Sequence, residues 1–219
     1  MLSSQKGLEL LSKNKFNNPF NRIKMAGKRE SNFFNMLSTL LVISLVSAMA
    51  LGSVYNLTKE PIELAKRKKQ EDAIKQVLPE FDRVVTYNVK SAQEDDSLQF
   101  NLAFKSDEVV GLAVKTFSKN GFGGQINLMT GFLPDGTINN ISVLDHKETP
   151  GLGDKMQKSK SDWSDQFKGK HPEQFKLKVK KDGGDVDAIT AATISSRAYV
   201  DALQRAYDTY QENKEGLKK

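Results

Sequence analysis

The longest apolar run of the chain lies near its N-terminus and has no charged residue over 25 positions, from Phe33 to Leu57. A helix needs roughly 20 apolar residues to cross the hydrocarbon core of a membrane. The Ser, Thr and Asn residues within the run are tolerable, because short side chains can bond back to the helix backbone. A cleaved signal peptide has a shorter apolar core. We therefore expect one uncleaved transmembrane helix at 33–57.

The next segment, 60–78, has a partial apolar stripe at helical spacing. Pro61 suits the first turn of a new helix, and Pro79 suits its end. The pattern predicts a helical stalk over 58–80. This stalk would join the membrane helix to a folded domain at 81–213.

Apolar and polar positions then alternate with period two, most clearly over 98–104, as in a half-buried strand. Pro134-Asp135-Gly136 separates two β-rich runs and is typical of a turn. Together these runs predict a largely antiparallel sheet. The strands expected are 84–89, 98–104, 109–117, 126–133, 137–144 and 174–179.

Two helical patterns lie in the last third of the chain. Trp163 and Phe167 at i, i+4 predict a short amphipathic helix over 161–168. A longer helix is predicted over 196–213 by apolar residues at spacings of three and four, namely Val200, Leu203, Tyr207 and Tyr210. The fold class expected is α+β, with one N-terminal transmembrane helix, a mostly antiparallel-sheet domain with packed helices, and a frayed tail at 214–219.

Composition narrows the chemistry. The 219-residue chain has no cysteine, which excludes disulfides and iron–sulfur clusters held by Cys. Its two histidines, His146 and His171, are far apart in sequence. We therefore expect no metal centre.

The formal net charge of +6 is concentrated at the N-terminus, where the first 30 residues hold seven basic and two acidic groups. The remainder is nearly neutral, so we expect no nucleic-acid binding. The arm at 1–32 is a solvated tail or faces the membrane from the cytoplasm. Basic residues after the apolar run, at 59 and 66–69, leave the orientation open. Met25 is an alternative start, because a conventional short basic N-terminus follows it.

The segment 187–196, here called the hydroxyl segment, follows the turn-forming residues Asp182-Gly183-Gly184-Asp185 and leads into the last helix. It has four hydroxyl residues within seven positions, Thr190, Thr193, Ser195 and Ser196. Ser and Thr are favoured helix N-caps, so an ordinary capped helix is one interpretation. The other is a phosphate site, because the free N–H groups and the dipole of a helix N-terminus attract anions.

The order Asp187-x-x-Thr190-Ala191-Ala192-Thr193-x-Ser195-Ser196 resembles the Asp-x-x-Ser/Thr-Gly-Ala-Thr-x-Thr/Ser pattern of the FMN-binding domain family. That family includes the G subunit of the Rnf electron-transport complex and the C subunit of the sodium-pumping NADH:quinone oxidoreductase. Ala191 stands where the family usually has Gly, and its methyl group restricts the φ and ψ angles that the backbone can adopt there.

Two further segments carry the resemblance. Gly121-Phe122-Gly123-Gly124-Gln125, here called the glycine turn, resembles the family's Gly-Tyr/Phe-Gly-Gly-Pro-Ile element, with Gln125 in place of Pro. The segment 146–153, here called the Pro-Gly loop, contains Glu148-Thr149-Pro150-Gly151-Leu152-Gly153 and is similar to the family's flavin-facing loop. Each could by itself be an ordinary tight loop. Their order, and a spacing of about 40 residues from the loop to Thr193, also match the family.

The resemblance implies that FMN is attached covalently through a phosphoester bond to Thr193. The segment has no Lys, His or Cys base to activate a threonine hydroxyl, and the resemblance implies attachment by a separate flavin transferase. Asp187 would serve recognition by that transferase or positioning. We expect no catalytic residue in the chain. The other residues implied in cofactor binding are Thr190, Ser195, Ser196, Thr149, Gly151, Leu152, Gly153, Gly123 and Gly124.

The function implied is electron transfer within a membrane-bound, ion-translocating ferredoxin:NAD oxidoreductase of Rnf type. Its partners would be the other integral-membrane and redox subunits and the transferase. The protein would cross the bacterial inner membrane once, with the N-terminus cytoplasmic and the FMN domain periplasmic. Three alternatives stay open: the C subunit of the quinone oxidoreductase, a separate FMN-domain reductase at the cell surface, and an anchored binding or assembly module without flavin.

Overall fold

The computed structural model describes residues 32–91 and 96–214. The expectations about the arm 1–32 (apart from Asn32), about Met25 and about the tail beyond Lys214 lie outside these residues. The described residues divide into two units, one that ends at Thr58 and one that begins at Lys59.

The first helix, α1 (Phe33–Val77), is 45 residues long. The apolar side chains of its first part are all exposed. Within the described ranges, α1 is the one helix whose length and composition would let it cross a membrane.

Residues 60–77 are helical, as the pattern predicts, but the expectation of a separate helix beginning at Glu60 is wrong, because α1 continues through Pro61. Proline lacks the N–H that would bond the carbonyl four residues earlier, so it costs one helical hydrogen bond. Starting a new helix costs more than extending one that already exists. The apolar segment is already helical, and extension past Pro61 therefore prevails.

The domain contains one antiparallel sheet whose five strands lie in chain order. Its strands are β1 (Arg83–Lys90), β2 (Ser97–Lys105), β3 (Glu108–Gly121), β4 (Gly124–Phe132) and β5 (Ile138–Asp145). Each pairs with the next in antiparallel register. The α+β fold class is confirmed, and five of the six predicted strands form.

Short turns connect β2 to β3, β3 to β4 and β4 to β5. Ser106 and Asp107, between β2 and β3, both have positive φ, as in the mirror-image turns that suit twisted hairpins. In the predicted Pro-Asp-Gly turn, the Asp135 carboxylate accepts the backbone N–H of Thr137 at 2.9 Å. This hydrogen bond lowers the pKa of Asp135.

The last helix, α2 (Thr193–Asn213), packs against one face of the sheet, on β3 and β4. Its predicted apolar positions are all buried, with Leu203 completely so. On the sheet side, this core includes Phe100, Leu128 and Phe132. The helix begins three residues earlier than the pattern predicts and therefore includes Thr193.

The C-terminal end of α1 covers the opposite face. Ala73 and Val77 form a second core with sheet residues that include Ala113 and Met129. The side-chain amide of Asn139 donates to the Val77 carbonyl at 2.8 Å, which ties the helix end to β5. The sheet thus lies between two helical segments.

Two smaller predictions are wrong. The segment 174–179 is not a strand, although Leu177 and Val179 are buried as its alternation predicts. A strand needs a ladder of hydrogen bonds to a neighbour, and here the pairing is a single bridge between Val179 and Val186. The segment 161–168 contains only a 3₁₀ helix, Trp163–Phe167, whose two aromatic rings meet edge to face at 5.4 Å.

We predict that Gly131→Ala lowers the free energy of unfolding by about 1–3 kcal/mol, because it overfills a packed core. An added Cβ would lie 1.9 Å from the Val77 carbonyl oxygen, which belongs to backbone and cannot swing aside. Trp163, the only tryptophan of the chain, reports the transition by its fluorescence in urea. Gly52→Ala is the control, because its Cβ would meet nothing within 4 Å. An unchanged midpoint for Gly131→Ala would contradict this packing.

Candidate functional site

Three segments that are far apart in sequence meet around one cavity of about 350 Å³. They are the glycine turn between β3 and β4, the Pro-Gly loop after β5, and the start of α2. The volume falls within the range of small-molecule sites. The lining residues are Phe122, Glu148, Thr149, Leu152, Gly153, Ala191, Ala192, Thr193, Ile194 and Ser195.

The hydroxyl segment is fixed at its beginning by its backbone. The N–H of Asp187 donates to the side-chain oxygen of Gln166 at 2.8 Å. The backbone carbonyl of Asp187 accepts the indole N–H of Trp163 at 2.6 Å. Trp163 also packs against the core, with edge-to-face contacts to Phe167 and Tyr199. Its role is therefore structural.

Ala191 reverses the chain just before α2 and has a φ of +61°. This left-handed conformation costs an L-residue with a Cβ roughly 1–2 kcal/mol, whereas glycine adopts it freely. The departure from the family pattern thus falls at the residue where glycine is conformationally favoured. Ala191 takes up the required turn despite its methyl group.

The interpretation of the hydroxyl segment as an ordinary side-chain cap is wrong. The N-cap residue of α2 is Ala192, and it makes no side-chain capping bond. Ser196 acts within the preceding turn instead, where its hydroxyl accepts the N–H of Ile189 at 2.9 Å and donates to the Ala192 carbonyl at 3.0 Å. The first-turn N–H groups of a helix have no partners within the helix. Here that end of α2 faces the cavity.

The predicted hydroxyl residues lie in different environments. Thr193 is the first residue of α2, is half-buried and lines the cavity. Thr149 also lines it, from the Pro-Gly loop, while Thr190 is exposed on the turn. Ser195 lines the cavity as well but is buried, and Ser196 is completely buried. The hydroxyls of these two serines are bonded within the protein, which leaves Thr193 as the accessible hydroxyl of α2 at the cavity.

Glu148 connects the three segments, although sequence reasoning did not single it out. Its side chain is buried, with one carboxylate oxygen accepting the Gly123 N–H at 2.9 Å and the other accepting the Ser195 hydroxyl. A carboxylate close to the first turn of α2 is favoured by the helix dipole. The available signal was a charged residue inside a loop of turn-forming residues.

The predicted glycines shape the loops. At Gly153, which lines the cavity, an added Cβ would come within 2.6 Å of the Ser195 hydroxyl oxygen and 2.8 Å of the Glu148 side chain. Glycine is therefore needed there for close approach. Gly151 and Gly124 have positive φ and form the turns beside the cavity. Gly123 contributes its N–H to Glu148.

Large apolar side chains stand exposed around the cavity. Phe122 is 69% exposed, Ile194 48% and Leu152 39%, and each comes from a different segment. Only Leu152 was a predicted site residue. Exposed apolar groups gathered at one cavity are typical of binding sites.

Ion pairs hold the flanks of the hydroxyl segment. Arg197 donates two hydrogen bonds, of 2.7 and 2.8 Å, to the carboxylate of Asp182. These bonds lower the pKa of Asp182. The Asp187 carboxylate is mostly exposed and pairs with Lys180 at 2.7 Å. It therefore faces solvent beside the segment.

A comparison with known families matches residues 121–208 to the FMN-binding domain. This range begins at the glycine turn and ends within α2, so it contains every segment that lines the cavity. The chain thus has the domain of an FMN-binding protein. The resemblance drawn from three short motifs is confirmed by this match.

Known relatives cover most of the chain. The G subunit of the ion-translocating oxidoreductase complex of Shewanella piezotolerans is 33% identical over 199 residues, which are 84% of this chain and 93% of that protein. The corresponding protein of Pasteurella multocida is 34% identical over 76% of this chain and 88% of its own length. That of Vibrio vulnificus is 29% identical, with coverages of 82% and 90%. The chain belongs to the family formed by the G subunits of ion-translocating oxidoreductase complexes, and its apolar helix marks it as a membrane-anchored member.

We predict that Ala191→Gly raises the free energy of unfolding by about 0.5–1 kcal/mol, because it removes left-handed strain at a small cost in chain entropy. Ala191→Val should lower it, since a β-branched residue tolerates positive φ poorly. Urea unfolding followed by Trp163 fluorescence measures both changes. Ala188→Gly is the control, as Ala188 has no positive φ, and it should give no gain. A lower free energy of unfolding for Ala191→Gly would contradict the inference that Ala191 is strained.

Proposed function

We propose that this chain carries FMN as an electron-transfer subunit of an ion-translocating oxidoreductase complex of Rnf type, with the flavin bonded through its phosphate to the Thr193 oxygen. The observation that carries the proposal is the position of Thr193, which begins α2 and lines the cavity where the three family motifs meet. The subunit is a redox component of a translocase and has no complete active site of its own.

The start of α2 suits a phosphate. The first-turn N–H groups and the positive end of the helix dipole favour a negative group at this position. Ala191 and Ala192, which line the cavity beside Thr193, present no side-chain charge to oppose it. The helix end would therefore favour a phosphate on the Thr193 oxygen, and Glu148 is the one lining residue whose charge opposes it.

The rest of the cavity suits a flat, largely apolar ring system. Phe122, Leu152 and Ile194 offer apolar surface, and Gly153 lets the Pro-Gly loop come close to α2. Thr149 adds a hydroxyl to this lining. These residues fit FMN, and bound FMN would supply one- or two-electron exchange. A phosphate tether leaves the ring free for that exchange and prevents loss of the cofactor.

Attachment requires a second protein. The Thr193 oxygen would form a new bond to phosphorus, the hydroxyl proton would pass to a base, and an activated flavin nucleotide would release its leaving nucleotide. Glu148 is the only carboxylate among the lining residues, and its two oxygens already accept bonds from Gly123 and Ser195. An unassisted threonine hydroxyl is a poor nucleophile. We therefore assign the base to a separate flavin transferase.

Asp187 is the candidate recognition residue for that transferase. Its carboxylate is exposed, while its backbone is held by Trp163 and Gln166. The transferase could therefore contact the Asp187 carboxylate without unfolding the turn. The ion pair with Lys180 is solvent-exposed and of little energetic weight.

The proposed topology is the one that the resemblance implies. The apolar part of α1 would cross the bacterial inner membrane once, with the arm in the cytoplasm and the FMN domain in the periplasm. The partners are the other membrane and redox subunits of the complex. The relatives described above are all G subunits of ion-translocating oxidoreductase complexes, which favours this assignment over the C subunit of the sodium-pumping quinone oxidoreductase.

An anchored binding module without flavin is the second candidate, and Ala191 is the observation that favours it. If the left-handed strain at this residue prevented the transferase from reaching Thr193, the domain would remain unloaded. The strain amounts to only about 1–2 kcal/mol, however, and the turn forms with alanine present. The flavin-carrying function is therefore preferred.

We predict that Thr193→Val abolishes covalent flavin. The full chain is co-expressed with a flavin transferase, denatured and examined on a gel for flavin fluorescence. Thr86→Val is the matched control, since it removes an exposed hydroxyl on β1 that does not line the cavity and should leave the band fluorescent. A dark parent band, with the transferase active on another substrate, would reject the covalent attachment.

We predict that Asp187→Asn slows flavin incorporation by about tenfold or more, as expected for the loss of a charge-assisted contact with the transferase. Lys180→Gln is its control, because it breaks the same ion pair but keeps the carboxylate. This variant should load at the parental rate. If both variants slowed equally, the ion pair itself would be the important element and the recognition role would be wrong.

A further inference from the structure

The Glu148 carboxylate has a local environment that the proposed function does not by itself explain. The residue is 5% exposed, although it lines a cavity. Burying a carboxylate is costly unless hydrogen bonds compensate for the lost water. Each of its oxygens has a partner, the Gly123 N–H for one and the Ser195 hydroxyl for the other.

These two bonds join elements that are otherwise separate in the chain. Gly123 belongs to the glycine turn, Glu148 to the Pro-Gly loop and Ser195 to the first turn of α2. Glu148 thus bonds to both of the other cavity-lining segments. Ser195 lies two residues after Thr193 on the same helical turn.

The length of the Glu148 side chain matches the space available to its carboxylate. An added Cβ at Gly121 would lie 2.7 Å from one carboxylate oxygen, and one at Gly153 would lie 2.8 Å from the other. The carboxylate thus lies between two positions that only glycine can occupy. A shorter acid at 148 would not reach Gly123 and Ser195 together.

The charge of Glu148 gives no direct benefit to an attached phosphate. Like charges repel, and they repel more strongly where water is partly excluded. A carboxylate beside the start of α2 therefore opposes a phosphate there. Its benefit to the site must come from the geometry that its two bonds impose.

We propose that Glu148 is a positioning residue for flavin attachment: through its reach, not its charge, it holds the first turn of α2 against the two loops and presents the Thr193 hydroxyl to the transferase. This inference rests on the proposed function of Thr193. It adds a requirement for a residue that does not contact the reacting atoms.

The test compares Glu148→Gln with Glu148→Asp in the full chain. Glutamine keeps the length, since its amide oxygen can accept from Gly123 and its NH₂ can donate to the Ser195 oxygen. Aspartate keeps the charge but is one methylene shorter. Steady-state incorporation of flavin by the transferase is measured with each variant as substrate, and Trp163 fluorescence in urea reports folding.

We expect Glu148→Gln to retain kcat within about threefold of the parent, and Glu148→Asp to lose about tenfold or more in kcat with little change in KM. A lower kcat at constant KM indicates a misplaced hydroxyl on a domain that the transferase still recognises. The reverse order, with aspartate active and glutamine impaired, would overturn the proposal in favour of a role for the charge. Parental kcat for both variants would overturn it as well.

Ser195→Ala is the second variant, used if Glu148→Asp fails to fold. It removes one of the two bonds and leaves the carboxylate in place. We expect a lower kcat for this variant, and an unchanged kcat would overturn the proposal. A parent chain that takes up no flavin, with the transferase active on another substrate, would instead reject the proposed function.

Discussion

The packing of α2 on the sheet is the constraint on which the rest of the domain depends. Leu203 is completely buried in the core that the helix shares with the sheet, and Tyr199 is completely buried against Trp163 and Phe167. The Thr116 hydroxyl of β3 donates to the Ala202 carbonyl at 2.8 Å, which fixes the helix along its axis. Because Thr193 belongs to the same continuous helix, its position relative to β3 and β4 is set by this core. The site is therefore built on a rigid element, as accurate placement of a reactive group requires.

The same packing allows strain beside the site. Ala191 keeps a left-handed backbone that would be unfavourable in isolation. It persists because the buried helix after it and the bonded backbone of Asp187 before it leave the chain little choice. The Pro-Gly loop and the glycine turn then close on the helix through Glu148. Rigid packing on one side and a single buried carboxylate on the other define the cavity.

Most of the fold was predictable from local patterns. Alternation located β2 and its neighbours, the Pro134-Asp135-Gly136 turn formed as its chemistry requires, and helical spacing identified the buried face of α2. Local patterns failed where a distant partner decides the outcome. The alternation of apolar and polar residues around Leu177 reflects burial without a paired strand. At Pro61, the helix that precedes this residue determined its conformation. The role of Glu148 was unpredictable for the same reason, since its partners lie 25 and 47 positions away in sequence.

The central claim is that Thr193 carries FMN through its side-chain oxygen. Mass spectrometry of the chain isolated from cells that contain a flavin transferase tests it most directly. Trypsin should release residues 182–197 as one peptide, because Lys181 and Arg197 flank it. The account predicts that this peptide carries the mass of FMN less one water and that fragmentation assigns it to position 193. An unmodified peptide, or a flavin assigned to Thr190 or to another peptide, would contradict the account.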